Sequence, residues 1–448
     1  MDSLRRRLTG ELVEPADPRY AELTAGFNAA ITATPAAVVE ARDPQDVVEA
    51  VTFAAGSGIP VAVQATGHGI ADSLDGALLI NTRRLDECVV HADGWARVGA
   101  GVRWQQVLDA AAPHGLAPLS GSAPGVGVVG YTTGGGLGPV GRTYGWASDR
   151  VRAAEIVTGE GVLRRVTAET EPDLFWAVRG GKGAVGIVTA MEFDLVRQER
   201  LHAGALYFAG ADAATVLHRW REWSAGLPAE ATTSVALLQL PPLPGVPEPL
   251  AGRFSVAVRF AWTGDPATGE ATLAPLRAVA TPLIDAVQVI PYAAIGMIHA
   301  DPVDPMPVHE TSDLLRELPA EAVDALLGVA GPDAGSPQVI VELRQLGGAF
   351  AVPGEHPSAL DHRDAAFSLI TIGVLVPPVA GAVAPHADEV SAALKPWSTG
   401  ATLPNLGAAV GAERIARSYR PETLSRLVEV ARRFDPSGVF TVGQVPVR

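Results

Sequence analysis

The groups best suited to chemistry in this chain fall in three glycine-rich places. The first is Gln64-Ala65-Thr66-Gly67-His68-Gly69, a histidine loop after the apolar run Ile59-Pro60-Val61-Ala62-Val63. The second runs from Gly121 through Gly125, Gly127 and Gly130 to Tyr131-Thr132-Thr133-Gly134-Gly135-Gly136-Leu137-Gly138. The third holds Gly181, Gly183 and Gly186. The last two satisfy G-x-G-x-x-G, which binds a nicotinamide dinucleotide where it follows a strand and opens a helix. Neither context predicts that helix. Three consecutive glycines after Thr133 cost roughly 3 kcal/mol of helix propensity, and Ile187-Val188-Thr189-Ala190 reads as a strand. Backbone N–H groups in glycine turns instead form nests that hold phosphate without lysine or arginine. One such loop alone would read as tight packing. Two of them beside a histidine loop point to an extended dinucleotide such as FAD.

A second kind of chemistry is offered by Val341-Glu342-Leu343-Arg344-Gln345-Leu346-Gly347-Gly348, a strand that closes in a glycine turn. Period two puts Glu342 and Arg344 on one face. They are either an ion pair or polar groups turned to a site. Gln345 takes that face if the register is the other one. The single cysteine, Cys88, excludes an internal disulfide and a cysteine-based metal centre, and no metal site is expected.

The elements that must position these groups are legible in outline. Ala37 to Ala41 reads as a strand. Asp43 caps a helix with Pro44 at its first position, Val47, Val51 and Ala54 give it a buried stripe, and Gly56 and Gly58 end it. Strands are predicted near Leu78 to Asn81, Ala96 to Ala100, Ala153 to Thr158, Gly161 to Val166 and Gly186 to Val196, with a helix over Trp104 to Ala112. After about Arg200 the segments lengthen. Ala213 to Leu227 and Leu314 to Val329 are amphipathic, and proline-rich loops separate them. Leu424, Leu427, Val428, Ala431 and Phe434 form a last helical stripe, stopped by Pro436 and Gly438. With 448 residues, two or three domains are expected. The divisions fall at 1–197, 198–400 and 401–448, the last returning to the first.

Composition narrows the function classes. Apolar residues are 48% and charged residues 19%, enough for a large core. The net charge of −15 disfavours nucleic acid and anionic membrane as partners. No apolar stretch is long enough to span a bilayer. Arg5-Arg6-Arg7 is followed by Leu8-Thr9-Gly10-Glu11 rather than an apolar export segment, so a cytoplasmic protein is expected. The residues assign no oligomeric state.

Taken in order, these segments resemble the vanillyl-alcohol-oxidase, PCMH-type FAD-binding family in its berberine-bridge-enzyme-like branch. The resemblance rests on Asp43-Pro44-Gln45-Asp46-Val47-Val48, the histidine loop with Thr66 in place of a first glycine, and Gly127 through Gly138. It continues through Tyr144-Gly145-Trp146-Ala147-Ser148-Asp149, Asp173 to Gly180, Gly186-Ile187-Val188-Thr189 and Phe434-Asp435-Pro436 with Phe440. It implies an α+β protein: a PCMH-type two-subdomain FAD-binding domain plus an α+β substrate domain with an antiparallel sheet. It also implies that Thr66, Gly67, His68, Gly69, Gly121, Ala123, Gly127, Gly130, Tyr131, Gly134, Gly135, Gly136, Gly138, Tyr144, Gly145, Gly186, Val188 and Gln444 bind the FAD. In that family the histidine bonds the flavin 8α carbon, because an imidazole nitrogen can attack the electrophilic quinone-methide form of the ring. Many relatives add a cysteine link at the position of Ala123, so a single tether through His68 is expected here. Gly443-Gln444-Val445 departs from the asparagines common in relatives.

The resemblance further implies an oxidase that moves a hydride from a small-molecule alcohol or amine, of the natural-product, alkaloid or sugar class, to the flavin. Dioxygen then reoxidises the flavin and yields hydrogen peroxide. A proton acceptor must stand by the substrate. Glu342 is the candidate, with Arg344 beside it. Tyr131, Tyr419 from the C-terminal return, and Gln345 are the others. A flavin dehydrogenase, a flavin-dependent oxidative cyclase and a flavin-free scaffold are the competing readings.

Overall fold

The computed structural model describes residues 1–70, 72–407 and 411–442. Its first layer is a four-stranded sheet in the order Glu11–Val13, Ala37–Glu40, Leu78–Asn81, Val61–Gln64. The last three strands run parallel. Parallel neighbours need a crossover, and the helix Pro44–Ser57 supplies it. The Asp43 carboxylate accepts from Asp46 N, Pro44 fills the first turn, and Gly58 ends the helix in the left-handed region at φ 64°. Gly56, expected to help end it, lies inside it.

A five-stranded antiparallel sheet follows, ordered Cys88–His91, Trp95–Gly99, Ile187–Asp194, Val151–Val157, Leu163–Val166. The largest sheet is antiparallel and ordered Ile284–Asp285, Arg200–Ala209, Phe254–Trp262, Ala231–Gln239, Ile340–Gln345, Phe367–Val374, Val308–Leu315. Gln288–Pro291 also pairs with Arg200–Ala209. Helices Ala213–Ala225, Pro266–Arg277, Ala320–Ala330 and Ala380–Leu394 bury their apolar stripes on one face of it, packing Val216, Trp220, Leu273, Leu326 and Val390 against Val258, Phe260 and Leu343. The amphipathic segment expected over Leu314 to Val329 is split in this layer. Leu314 and Leu315 end a strand, and the helix starts only after Pro319.

The C-terminal helix Pro421–Phe434 returns to the first core, burying Leu427, Val430, Ala431 and Phe434 among Leu174 and Trp176. Val430, rather than the expected Val428, completes the stripe. Beyond it, Asp435 accepts from Val439 N at 2.9 Å and Phe440 N at 3.0 Å, and Val439 O accepts from Val61 N at 2.8 Å. The chain end is thereby pinned beside the strand that leads to His68. No helix among the described residues is long and apolar enough to cross a membrane.

Candidate active site

Strand Val61–Gln64 delivers the histidine loop. Gly67 takes φ 75°, and a Cβ there would stand 2.8 Å from Gly26 Cα. Only glycine fits that turn. Thr66, which replaces the glycine of the family pattern, links two loops: its Oγ1 accepts from Gly127 N at 3.3 Å and lies 3.2 Å from His68 Nδ1. The His68 ring stacks on Phe27 with centroids 4.1 Å apart. Burial, helped by the Arg103 charge, depresses the imidazole to about 4. His68 is therefore neutral at pH 7 and keeps a nucleophilic lone pair. Gly69 is exposed, and a Cβ on it would meet nothing.

The long glycine loop is docked beside it. Val128 N donates to Val102 O, and Gly127 opens a single helical turn, Val128–Thr132. No local propensity announces that turn, since Gly134-Gly135-Gly136 stops the helix before it can grow. Gly127 follows no strand of a parallel sheet; its neighbour is an isolated bridge to Arg103. Glycine is required along this loop. A Cβ would lie 2.9 Å from the Tyr131 ring at Gly121 and 2.6 Å from it at Gly136. At Gly138 it would lie 2.4 Å from Ser120 O, and at Gly134 it would run into Asn405. Gly135 is left-handed, at φ 104°. The third loop is fastened to the second through Thr133 O, which accepts from Gly180 N and Lys182 N at 3.0 Å each. After Gly186 the chain enters the strand Ile187–Asp194, where Val188 is buried opposite Ile156.

These loops fit a bound dinucleotide. Gln64 Oε1, Ser120 Oγ, Tyr131 OH, Thr132 Oγ1 and Ser148 Oγ are buried without a partner, and a Cβ on Gly130 would meet only open space. Buried polar atoms are normally paired, so a group with complementary polar atoms belongs among them. Ala123 offers no thiol, and Cys88 belongs to another element, the edge strand Cys88–His91. Tyr144 is less available than expected. Its hydroxyl donates to Gln198 Oε1 at 2.6 Å and its ring packs on the cluster of Tyr292 and Ile295. Gly145, at φ 86°, turns the chain beside Asp149. Gln444 lies outside the described residues.

Sequence reading missed Lys182. Its backbone is left-handed at φ 56°, and its amine is bonded to Asn405 Oδ1, whose Nδ2 donates to Tyr131 O at 2.6 Å. Burial, with the nearby Arg414 charge, brings the ammonium down to about 7.

Arg142 ties the glycine loop to the large sheet, donating to Ala231 O at 2.8 Å and to Leu346 O. Between them is a small cavity that opens to solvent, walled by Gly138 and Pro139 on one side and by Thr232, Arg259, His299 and Arg344 on the other. Strand register builds the polar wall. Arg259, Ser234 and Arg344 are direct cross-strand partners, and Glu342 is two residues from Arg344 on the same face. Glu342 Oε1 accepts from Arg259 Nη1 and Ser234 Oγ, both at 2.7 Å, and Oε2 from Arg344 Nε at 2.9 Å. Burial alone would raise its pKa, but the Arg344 and Arg259 charges hold it well below the ordinary carboxylate range. Glu342 and Arg344 thus form the ion pair that period two allowed, enlarged by an arginine that sequence reading did not pair with them.

The other candidates are placed differently. Tyr131 OH lies beside Gly138, buried and unpaired; burial pushes its pKa up while Arg344 pulls the other way. Tyr419 OH donates to Gly180 O at 2.9 Å within the first core, away from this wall, which makes it a tie for the C-terminal return. Gln345 points to the helical face, where Nε2 donates to Ser224 O at 2.6 Å. The register that turns Glu342 towards Ser234 and Arg259 sends the Gln345 amide the other way, although Gln345 still touches the end of the cavity. His299 was missed, and a lone histidine at the end of the short helix Tyr292–Ile298 carries no pattern that could have found it. Arg259 did carry one: it interrupts Phe254–Trp262, an otherwise largely apolar strand.

Residues 35–167 match the family described as FAD binding domain. Over 97% of its length the chain is 28% identical to (R)-6-hydroxynicotine oxidase of Paenarthrobacter nicotinovorans, covering 95% of that protein. It is 34% identical to the FAD-dependent monooxygenase tpcD of Cochliobolus heterostrophus, but across only 39% of this chain and 34% of that one. Among solved structures, 6-hydroxy-D-nicotine oxidase from Arthrobacter nicotinovorans superposes with a TM-score of 0.85 at 25% identity, covering 98% of this chain and 97% of that one. Glucooligosaccharide oxidase from Acremonium strictum, described with a 6-S-cysteinyl, 8α-N1-histidyl FAD, shares the fold with a TM-score of 0.85 at 19% identity, covering 99% of both chains.

Proposed function

Because this chain is an FAD-linked oxidoreductase with a PCMH-type FAD-binding domain and the fold of the berberine-bridge-like enzymes, we propose that it is an oxidase. In this reading it takes two electrons from a small-molecule alcohol or amine and delivers them to dioxygen as hydrogen peroxide. Residues 1–197 and 401–448 serve the cofactor, and 198–400 the substrate. The observation that carries the reading is His68: neutral, shielded, and held by Thr66 against the glycine loop at Gly127. A tether needs an unprotonated imidazole, and burial secures one. The supporting relative is an oxidase over nearly its whole length.

Bound FAD supplies the two-electron acceptor that no side chain can provide. His68 would hold it covalently, with Thr66, Gly67 and Gly69 shaping the loop around that bond. The nests of Gly127 through Gly138, with Thr132 and Ser148, would take its polar atoms. No thiol stands at Ala123, so His68 is the single anchor. The substrate's part falls to the large sheet, whose polar face closes the cavity beside Gly138.

Acid precipitation of the purified protein tests this directly. Yellow colour is expected to stay with the pellet of wild type and to move to the supernatant for His68→Ala, with peroxide released on turnover. Colour in the wild-type supernatant would remove the tether but keep the flavoenzyme. A colourless protein, even after added FAD, would end the reading. Turnover that reduces a dye but forms no peroxide in air would make it a dehydrogenase.

A further inference from the structure

Burying a polar group without a partner is costly, yet the cavity wall keeps several. His299 is buried, 8% exposed, and neither Nδ1 nor Nε2 makes a hydrogen bond. Nε2 lies 3.4 Å from Glu342 Oε1, near enough to feel its charge but not aligned to bond. Arg259 Nε is likewise unpartnered. The groups facing His299 are Arg259 from one strand and Glu342 and Arg344 from another. Burial first, and then Arg259, keep the imidazole below its ordinary pKa, against the pull of Glu342. His299 therefore presents a free lone pair at pH 7, and Glu342 stands ready to stabilise the imidazolium. Glu342 itself is a weak proton acceptor, because the Arg344 and Arg259 charges hold its carboxylate well below the ordinary range and three donors already lie on its oxygens.

Charge in the wall is one-sided. Arg259 and Arg344 line the cavity, whereas Glu342 is not in its wall, nor are Asp301 and Glu310. Burial pushes Glu310 towards its neutral form. A cation entering would meet two guanidinium groups, with the one carboxylate, Glu342, held behind them, so the cluster keeps a net positive charge.

We propose that this cavity takes an uncharged alcohol, that His299 accepts the proton of its hydroxyl, and that the two arginines turn away a protonated amine. The proposal rests on the flavin reading and narrows its substrate class. In the reaction the carbinol C–H bond would break with its hydrogen and electron pair passing together, as hydride, to the oxidant FAD. The O–H bond breaks with its proton passing to His299, and the C=O bond forms. Glu342 is a positioning residue in this scheme, acting through the imidazole.

Two probes of similar size test the proposal on the holoenzyme. One is 4-nitrophenol, whose hydroxyl reports ionisation by its absorption. The other is 4-nitrobenzylamine, a cation at neutral pH. Calorimetric titration is expected to show the amine at least about tenfold weaker, since like-charge contact costs several kcal/mol and 1.4 kcal/mol is tenfold. Difference absorption is expected to show phenolate on binding at a pH below the probe's own ionisation, and His299→Gln to bind the probe without that signal. Equal affinity for the amine, an unchanged phenolate signal in His299→Gln, or no binding of 4-nitrophenol would each overturn the proposal. Should His299→Gln lose the wild-type circular dichroism, the comparison of the two probes on wild type decides alone. A yellow protein that fails these tests keeps the flavin and loses the alcohol pocket. A colourless protein that passes them does the reverse.

Discussion

Arg259 Nη1 reaches across an intervening strand to Glu342 Oε1 at 2.7 Å, and Ser234, on the strand between, donates to the same oxygen. The contact joins three strands, with both charged groups under 5% exposed. With Arg344 as third member the cluster holds two positive charges and one negative, so its two kinds of deletion are unequal. Glu342→Gln leaves two buried guanidinium groups facing each other, and it is expected to destabilise the fold by about 3–5 kcal/mol, as for a broken buried pair. Arg259→Leu leaves Glu342 paired with Arg344 and is expected to cost about 1.5–3 kcal/mol, the range of one charge-assisted hydrogen bond. Chemical denaturation of the two variants checks the order. An Arg259→Leu loss larger than that of Glu342→Gln contradicts the charge argument.

Thr66 makes a prediction that separates holding the loop from holding the cofactor. Thr66→Val keeps the side-chain shape and removes the Oγ1 contacts to Gly127 N and His68 Nδ1. The expected stability loss is about 0.5–1.5 kcal/mol for an ordinary hydrogen bond. The fraction of flavin retained in acid-precipitated protein should also fall, because the His68 ring loses its polar guide while staying stacked on Phe27. Denaturation midpoints and pellet colour measured on one preparation report the two effects.

How far the sequence could be read depended on whether a signal was local. Asp43-Pro44 with Gly58 announced a helix because cap and stop are written in adjacent residues. Gly67 and Gly134 to Gly136 announced tight backbone for the same reason. The turn Val128–Thr132 was not foreseen, because docking of Val128 N on Val102 O, rather than propensity, sustains it. The helix expected to begin at Leu314 begins after Pro319, since Leu314 and Leu315 pair with Phe367–Val374, a strand some fifty residues on. The wall around Glu342 was half legible. Period two placed Arg344 beside it, but placing Arg259 there needs the strand order, which sets Ala231–Gln239 between its successor Phe254–Trp262 and Ile340–Gln345, a strand some hundred residues on. His299 arrives from the end of a short helix, and no spacing marks it.

Lys182 yields a pH prediction with a definite sign. Its folded-state pKa of about 7 lies below the ordinary 10.5. Between those values the unfolded chain binds the extra proton and the folded chain does not, so stability contributed at this position rises with pH across the window from about 7 to 10.5. Below the lower value both states are charged and the burial penalty is felt in full. Lys182→Met removes the titration along with the bond to Asn405. The difference in denaturation midpoint, variant minus wild type, should therefore be most favourable to the variant near pH 6 and should shrink steadily towards pH 10. Taking the difference cancels other groups that titrate in the same range. A difference that stays flat across that range would mean the amine remains charged in the folded protein, with Asn405 and the Thr133 loop solvating it better than its burial implies.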